Sequence, residues 1–171
     1  MRLFVAIFPP EEARAHLRGR ITEALASAGR RVRLTPVERW HLTLSFLGEV
    51  EPERLPDVHG ALDGVSRSGP ITLRMAGGGS FGRGRSAPLW AGLEGDLRGL
   101  ADLHAGIRDG LAGAGLPYET RPLTPHVTVA YAQSPEVREV LSGYAGPAWA
   151  AEEYVLVHSR HGYRTLRGWP L

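Results

Sequence analysis

At 171 residues, with 43% apolar and 22% charged side chains, the chain can enclose a sizeable core and is too apolar for wholesale disorder. The absence of cysteine excludes a disulfide scaffold, a thiolate zinc site and a thiol nucleophile together. A formal charge of +2 singles out no partner, although all 20 basic residues are arginine. A GC-rich genome favours Arg, Ala, Gly and Pro codons alike, so only clustered arginines carry functional information.

Residues 2–8 read as a buried opening strand that stops at Pro9-Pro10, too short for a membrane span and unlike a signal peptide. Pro10-Glu11-Glu12 opens a helix to about Gly29, with its acids where the helix dipole favours them. Val32 to Thr35 and His41 to Leu47 read as strands, the second stopped by Gly48. A helix follows over about 52–65, interrupted by Gly60 and Gly64. Ile71 to Met75 is a strand that runs into the glycine-rich stretch Gly77 to Ser86, and Leu89 to Leu93 is another. Asp96 to about Ala114 is the best amphipathic helix, with Leu97, Leu100, Leu103, Ile107 and Leu111 at helical spacing. Val127 to Ala130, a short helix near 135–142, Tyr154 to His158 and Tyr163 to Leu166 complete the pattern. Strands and helices are mixed without strict alternation, which predicts an α+β fold with two sheets in one domain spanning 1–171.

Two segments say nearly the same thing: His41-Leu42-Thr43-Leu44 and His126-Val127-Thr128-Val129, about half the chain length apart. Side chains alternate across a strand, so each His and its Thr share a polar face, opposite Leu42, Leu44 and Phe46 or Val127 and Val129. A repeated His-x-Thr face suggests one site built from two halves. Histidine can take or give a proton near neutrality, so facing imidazoles can serve as base and acid in one displacement. Threonine hydroxyls can donate to the oxygens where charge sits in a phosphoryl transition state. A strained 2′,3′-cyclic phosphodiester needs no more than this. A metal would call for a third ligand, which neither motif supplies, so no metal and no cofactor are expected. His16, His59, His104, His158 and His161 read as structural.

The chain resembles the two-histidine phosphoesterase superfamily, specifically the bacterial RNA 2′,3′-cyclic phosphodiesterases, also described as LigT-like 2′-5′ RNA ligases. The resemblance rests on Arg2 to Ile7, Trp40 to Val50, Phe81 with Leu89 to Gly92, Arg121 to Ala130, and Ser159 to Tyr163. It implies a bilobal, pseudo-twofold fold in which two antiparallel sheets face a central cleft with helices outside. It also implies metal-independent hydrolysis of cyclic phosphate ends to 2′-phosphates, with 2′-5′ ligation when a 5′-hydroxyl stands in place of water. His126 is expected to activate water and His41 to protonate the leaving 3′-oxygen, with Thr43 and Thr128 on the phosphate. Phe81 and Trp90 are candidates for stacking the base. Arg83, Arg85, Arg121 and Arg160 are candidates for the RNA backbone, and Ser159 and Tyr163 belong to the closing signature. Tyr131 stands where the family usually has Arg; strict alternation puts it opposite His126, in packing. The expected partners are RNA ends or tRNA halves bearing a 2′,3′-cyclic phosphate, or cyclic nucleotides, acted on by a cytoplasmic monomer that binds no membrane. Alternatives are a nucleotide or RNA-end binding module without turnover, and an exonuclease removing uridines from RNA 3′ ends.

Overall fold

Strand β1 (Arg2–Ile7) is apolar on both faces, and the layering of the molecule follows from that. Leu3, Val5 and Ile7 join the main core, whereas Phe4 and Ala6 turn the other way, into a smaller cluster with Val155, Val157 and Phe8. The computed structural model describes all 171 residues. After β1 come α1 (Glu11–Ser27), β2 (Leu42–Glu49), α2 (Leu55–Asp63), β3 (Ile71–Ser80), β4 (Pro88–Gly95) and α3 (Leu97–Gly113). The chain ends with β5 (His126–Tyr131), α4 (Pro135–Ser142), β6 (Trp149–Ala151), β7 (Glu153–His158) and β8 (Arg164–Pro170). No helix is long and apolar enough to cross a membrane.

The α+β class is as expected, but the two expected sheets are one. A curled antiparallel sheet of eight strands runs in the order β6-β3-β4-β5-β2-β1-β7-β8. Its middle is thin, because β5 and β2 meet at a single pair, Leu42 with Val127. Each of these strands would otherwise be a bare sheet edge, and joining them satisfies backbone groups that would be left open. The helices pack on one face of this sheet through apolar stripes: Ala13, Leu17, Ile21 and Leu25 on α1, and Leu100, Leu103, Ile107 and Leu111 on α3. Asp96 caps α3 by accepting from the Gly99 N–H at 2.9 Å, and Ser134 caps α4 through the Val137 N–H at 3.2 Å. Leu97, in the first turn of α3, stays exposed rather than joining the stripe.

Several boundaries differ from the sequence reading. Val32 to Thr35 is not a strand: it touches the sheet at one isolated bridge, Leu34 with Ala130, before Pro36 turns the chain into a short 3₁₀ helix at Val37–Arg39. Strand β3 does not stop at Met75 but runs on through the glycine-rich Gly77 to Ser80, with a register break between Met75 and Gly78. Strand β6 was not legible at all, being three residues on the sheet edge.

The most consequential difference is a matched break in alternation. In β2 the partners of β1 skip Leu44, and in β5 the partners of β4 skip Val129. Each is a bulge at the fourth residue of its His-x-Thr motif, and the extra residue turns the side chains just after it to the opposite face, until in β2 a second skipped residue, Leu47, breaks the alternation again. Phe46 therefore leaves the core, 51% exposed, and Tyr131 is 59% exposed rather than packed.

The β3–β4 pair tolerates no side chain at Gly78. A Cβ there would lie 2.3 Å from the Trp90 carbonyl oxygen and 2.8 Å from the Leu141 Cβ, whereas at Gly79 the nearest atom is Trp90 Cζ2 at 3.5 Å. Gly78→Ala should cost about 1–3 kcal/mol and lower the melting temperature measurably, while Gly79→Ala should do much less. Thermal melts of the two variants side by side check this, and equal melting temperatures would contradict it.

Candidate active site

The single β2–β5 pair sets the two motifs beside one another. Around Leu42 and Val127 the antiparallel sense brings Thr43 toward His126 and His41 toward Thr128. Beyond that pair the strands part, and the opening, about 680 Å³, is lined by Thr43, Phe46, Phe81, His126 and the segment from Glu119 to Thr124.

The two imidazoles are held in the same way. Nδ1 of His41 donates to the carbonyl oxygen of Arg39, and Nδ1 of His126 to that of Thr124, both at 2.6 Å and both two residues back along the chain. A carbonyl can only accept, so the proton sits on Nδ1 in each ring and Nε2 of the neutral ring is left as an acceptor. Nε2 of His41 lies 3.0 Å from Thr43 Oγ1. Thr128 makes no equivalent bond to His126, which is a first departure from symmetry.

The surroundings of the rings differ more. His41 is stacked on Phe4 at 4.9 Å, flanked by Phe8 at 5.4 Å and met edge-on by Tyr163 at 5.5 Å. This burial, helped by the positive charge that His126 can carry, pushes the His41 pKa below its ordinary value, against the pull of the Arg39 carbonyl. His126 instead meets Phe81 edge-on at 4.9 Å and Trp90 at 6.1 Å, and those two rings stack on one another at 4.8 Å. Gly92 pairs with His126 across β4 and β5, and a Cβ there would lie 2.8 Å from the Ala76 carbonyl oxygen. The Trp90 indole N–H is buried without a hydrogen-bond partner in this wall.

The structure therefore puts Thr43, Phe81 and His126 on one cleft, with His41 bonded to Thr43, Tyr163 against His41, Trp90 stacked on Phe81 and Thr128 paired with Trp90. Arg121 also reaches it, but its guanidinium grips Glu119 through bonds of 3.0 and 2.9 Å, which hold that carboxyl at about 2. Arg83 and Arg85 sit in the exposed turn between β3 and β4. Ser159 is turned to the Arg2 carbonyl at the far end of β7, and Arg160 lines a separate pocket. Phe46 and Tyr131 are the wall residues that alternation hid. Both stand five positions after a motif histidine, and a shared aromatic at that offset was the one signal available. No group of three or more His, Cys, Asp or Glu side chains gathers anywhere. A neutral imidazole offering Nε2 as acceptor and a protonated one offering Nε2–H as donor, beside threonine hydroxyls, can move a proton in and a proton out around one anionic centre.

Comparison with known proteins agrees with this chemistry. The model of the LigT like phosphoesterase family matches residues 7–90. An RNA 2′,3′-cyclic phosphodiesterase of Thermus thermophilus is 36% identical over 167 residues, which cover 93% of this chain and 82% of that one. The Escherichia coli protein of the same name is 33% identical over 176 residues, covering 99% and 96%. Among solved structures, TT0787 of Thermus thermophilus superposes with a TM-score of 0.79 at 31% identity, covering 100% of this chain and 98% of its own. Escherichia coli LigT complexed with 3′-AMP gives 0.70 at 26% identity, covering 99% and 96%.

Because burial and a charged neighbour both act against the imidazolium, His41 should titrate below the ordinary value of about 6.5 in an NMR pH series. Replacing His126 by Gln removes the neighbouring charge and should move that midpoint upward. A midpoint at or above the ordinary value in the intact protein would contradict the buried setting.

Proposed function

The chain belongs to the LigT-like phosphoesterase family, and from that membership we infer that it hydrolyses 2′,3′-cyclic phosphate ends of RNA. The observation that carries the reading is the pair of imidazoles, each locked by the carbonyl two residues back so that Nε2 faces the reaction. We read the two half-sheets as lobes of one duplicated domain spanning 1–171. Matched motifs, matched bulges and matched carbonyl clamps support that reading.

In the proposed step, His126 takes a proton from water as the water oxygen bonds to phosphorus. His41 gives its proton to the 3′-oxygen as the bond from phosphorus to that oxygen breaks, leaving a 2′-phosphate. The assignment follows from exposure. Water arrives from solvent, so the base belongs on the more open ring, beside Phe81. The leaving alkoxide must be protonated where solvent cannot do it, beneath Phe4, Phe8 and Tyr163. Neutral His41 accepts the Thr43 hydroxyl proton at 3.0 Å; once protonated, it releases that hydroxyl to turn to a phosphate oxygen, as Thr128 does from the other strand.

Phe81 and Trp90 offer a stacking surface for the base, and a relative's structure holding 3′-AMP supports a nucleotide in such a cleft. Arg83 and Arg85, beside that surface, suit the backbone of a single strand. With a 5′-hydroxyl in place of water the same displacement, again breaking the bond from phosphorus to the 3′-oxygen, forms a 2′-5′ bond, which is the proposed ligase activity on tRNA halves.

Turnover of cytidine 2′,3′-cyclic phosphate tests the reading directly, and a protein that binds it without turnover would overturn it. His41→Ala and His126→Ala should each lose at least about 10²-fold in turnover. A substrate with sulfur in place of the 3′-bridging oxygen separates the roles, because a thiolate leaves without a proton. On that substrate His41→Ala should recover most of its activity and His126→Ala should not, and the opposite pattern would exchange acid and base. With no third ligand beside either histidine, activity should survive dialysis against EDTA. Loss that a divalent ion restores would argue for metal chemistry instead.

A further inference from the structure

A second pocket, about 780 Å³, opens behind Tyr163 on the His41 side of the cleft. The turn from β7 to β8 builds it together with the 3₁₀ helix before β2, and Arg39, Arg160 and Arg164 line it. Only Glu38 among its lining residues is acidic. Arg39 and Arg164 are in no ion pair, and Arg160 reaches a carboxylate only at 3.9 Å, on exposed Glu49. Arg39 instead lies over the Tyr163 ring, 5.3 Å from its centre, and rests against Gly162, where a Cβ would be 3.5 Å from Nη2. His158 closes the floor, and its Nε2 is buried with no hydrogen-bond partner. Polar atoms in such a position are normally satisfied, so a missing partner marks a place for one. Guanidinium groups unspent on carboxylates, around a buried imidazole, suit a phosphate, two of whose oxygens a planar guanidinium fork can hold at once.

The stereochemistry of the substrate says which phosphate. In a ribose 2′,3′-cyclic phosphate, O3′ sits on C3′, whose ring neighbour C4′ carries the 5′ arm. O2′ sits on C2′, whose neighbour C1′ carries the base. With O3′ set against His41, the base falls toward His126, Phe81 and Trp90, and the 5′ arm falls toward Tyr163. Tyr163 is the shared wall: its ring touches His41 at 5.5 Å on one side and carries Arg39 on the other. The guanidinium is thus no farther from the catalytic ring than those two short distances laid end to end, a span one nucleotide covers.

We propose that the pocket of Arg39, Arg160, Arg164 and His158 binds the phosphate on the 5′ side of the terminal nucleotide, the first backbone phosphodiester of the RNA whose cyclic end is opened. The proposal rests on the hydrolysis reading and on His41 as the acid. It makes the enzyme a reader of chain ends, favouring a cyclic phosphate with another phosphate one nucleotide upstream over a bare cyclic nucleoside. Binding so far from the reacting atoms acts in ground and transition states alike, so the gain falls in KM rather than kcat.

The test compares cytidine 2′,3′-cyclic phosphate with its 5′-phosphorylated form. In the intact enzyme at low salt, the 5′-phosphate should raise kcat/KM by about tenfold or more, as charge-assisted bonds to one phosphate do, and added salt should shrink the gain. In the double variant Arg160→Ala with Arg164→Ala the ratio between the substrates should fall close to one. In Arg83→Ala with Arg85→Ala it should persist. Equal turnover of both substrates by the intact enzyme overturns the proposal and leaves hydrolysis standing, and that comparison needs no variant to fold. A ratio that follows Arg83 and Arg85 also overturns it, placing the 5′ arm on the other side. Turnover of neither substrate overturns the hydrolysis reading itself.

Discussion

The molecule depends on one meeting of backbones. Strands β2 and β5 share a single paired position, Leu42 with Val127, and the eight-stranded sheet is continuous only there. More pairing would zip the halves together and close the cleft. Without it, the sheet would fall into two separate halves and the motifs would have no fixed relation. One pair is enough to set the register, and register decides which side chains share a face. Antiparallel pairing then crosses the motifs, so each histidine has the other strand's threonine near it. The apolar stripes of α1 and α3 hold the opposite face, and what they stabilise in effect is the position of that seam.

Duplication would give two equal imidazoles, and a displacement needs unequal ones. The backbone keeps them equal, since both Nδ1–H groups donate to the carbonyl two residues back at 2.6 Å. The inequality comes from the walls. One ring lies under Phe4, Phe8 and Tyr163, and the other stands against the edge of Phe81 beside the open turn. Desolvation is therefore what sets the two rings apart, and the side chains producing it lie outside both motifs.

Much of this was legible from the residues. The His-x-Thr faces are local and periodic, and helices α1 and α3 show their stripes plainly, so each was readable without knowing what lay across from it. The losses share a cause. Phe46 and Tyr131 were misplaced because a bulge is defined by the partner strand, and alternation within one strand cannot reveal a skipped pairing. Gly77 to Gly79 did not read as strand because glycine is a poor strand former; at Gly78 it is required in β3, because the Trp90 backbone and Leu141 approach too closely for any side chain. Arg121 looked free until Glu119, two residues earlier, folded back onto it. Arg39 carried no motif, and only the fold brings it beside Tyr163.

The clamp on each imidazole is a main-chain carbonyl, and every amino acid has one. Exchange of Arg39 or Thr124 for another residue alters the side chain but leaves that acceptor in place. The reactive tautomer is thereby insulated from drift in the sequence around it, while Phe46, Tyr131 and the arginine-bearing turns remain free to change. Such a division makes the scaffold a safe starting point for redesign: substrate preference can be rewritten residue by residue with the proton-transfer machinery left standing.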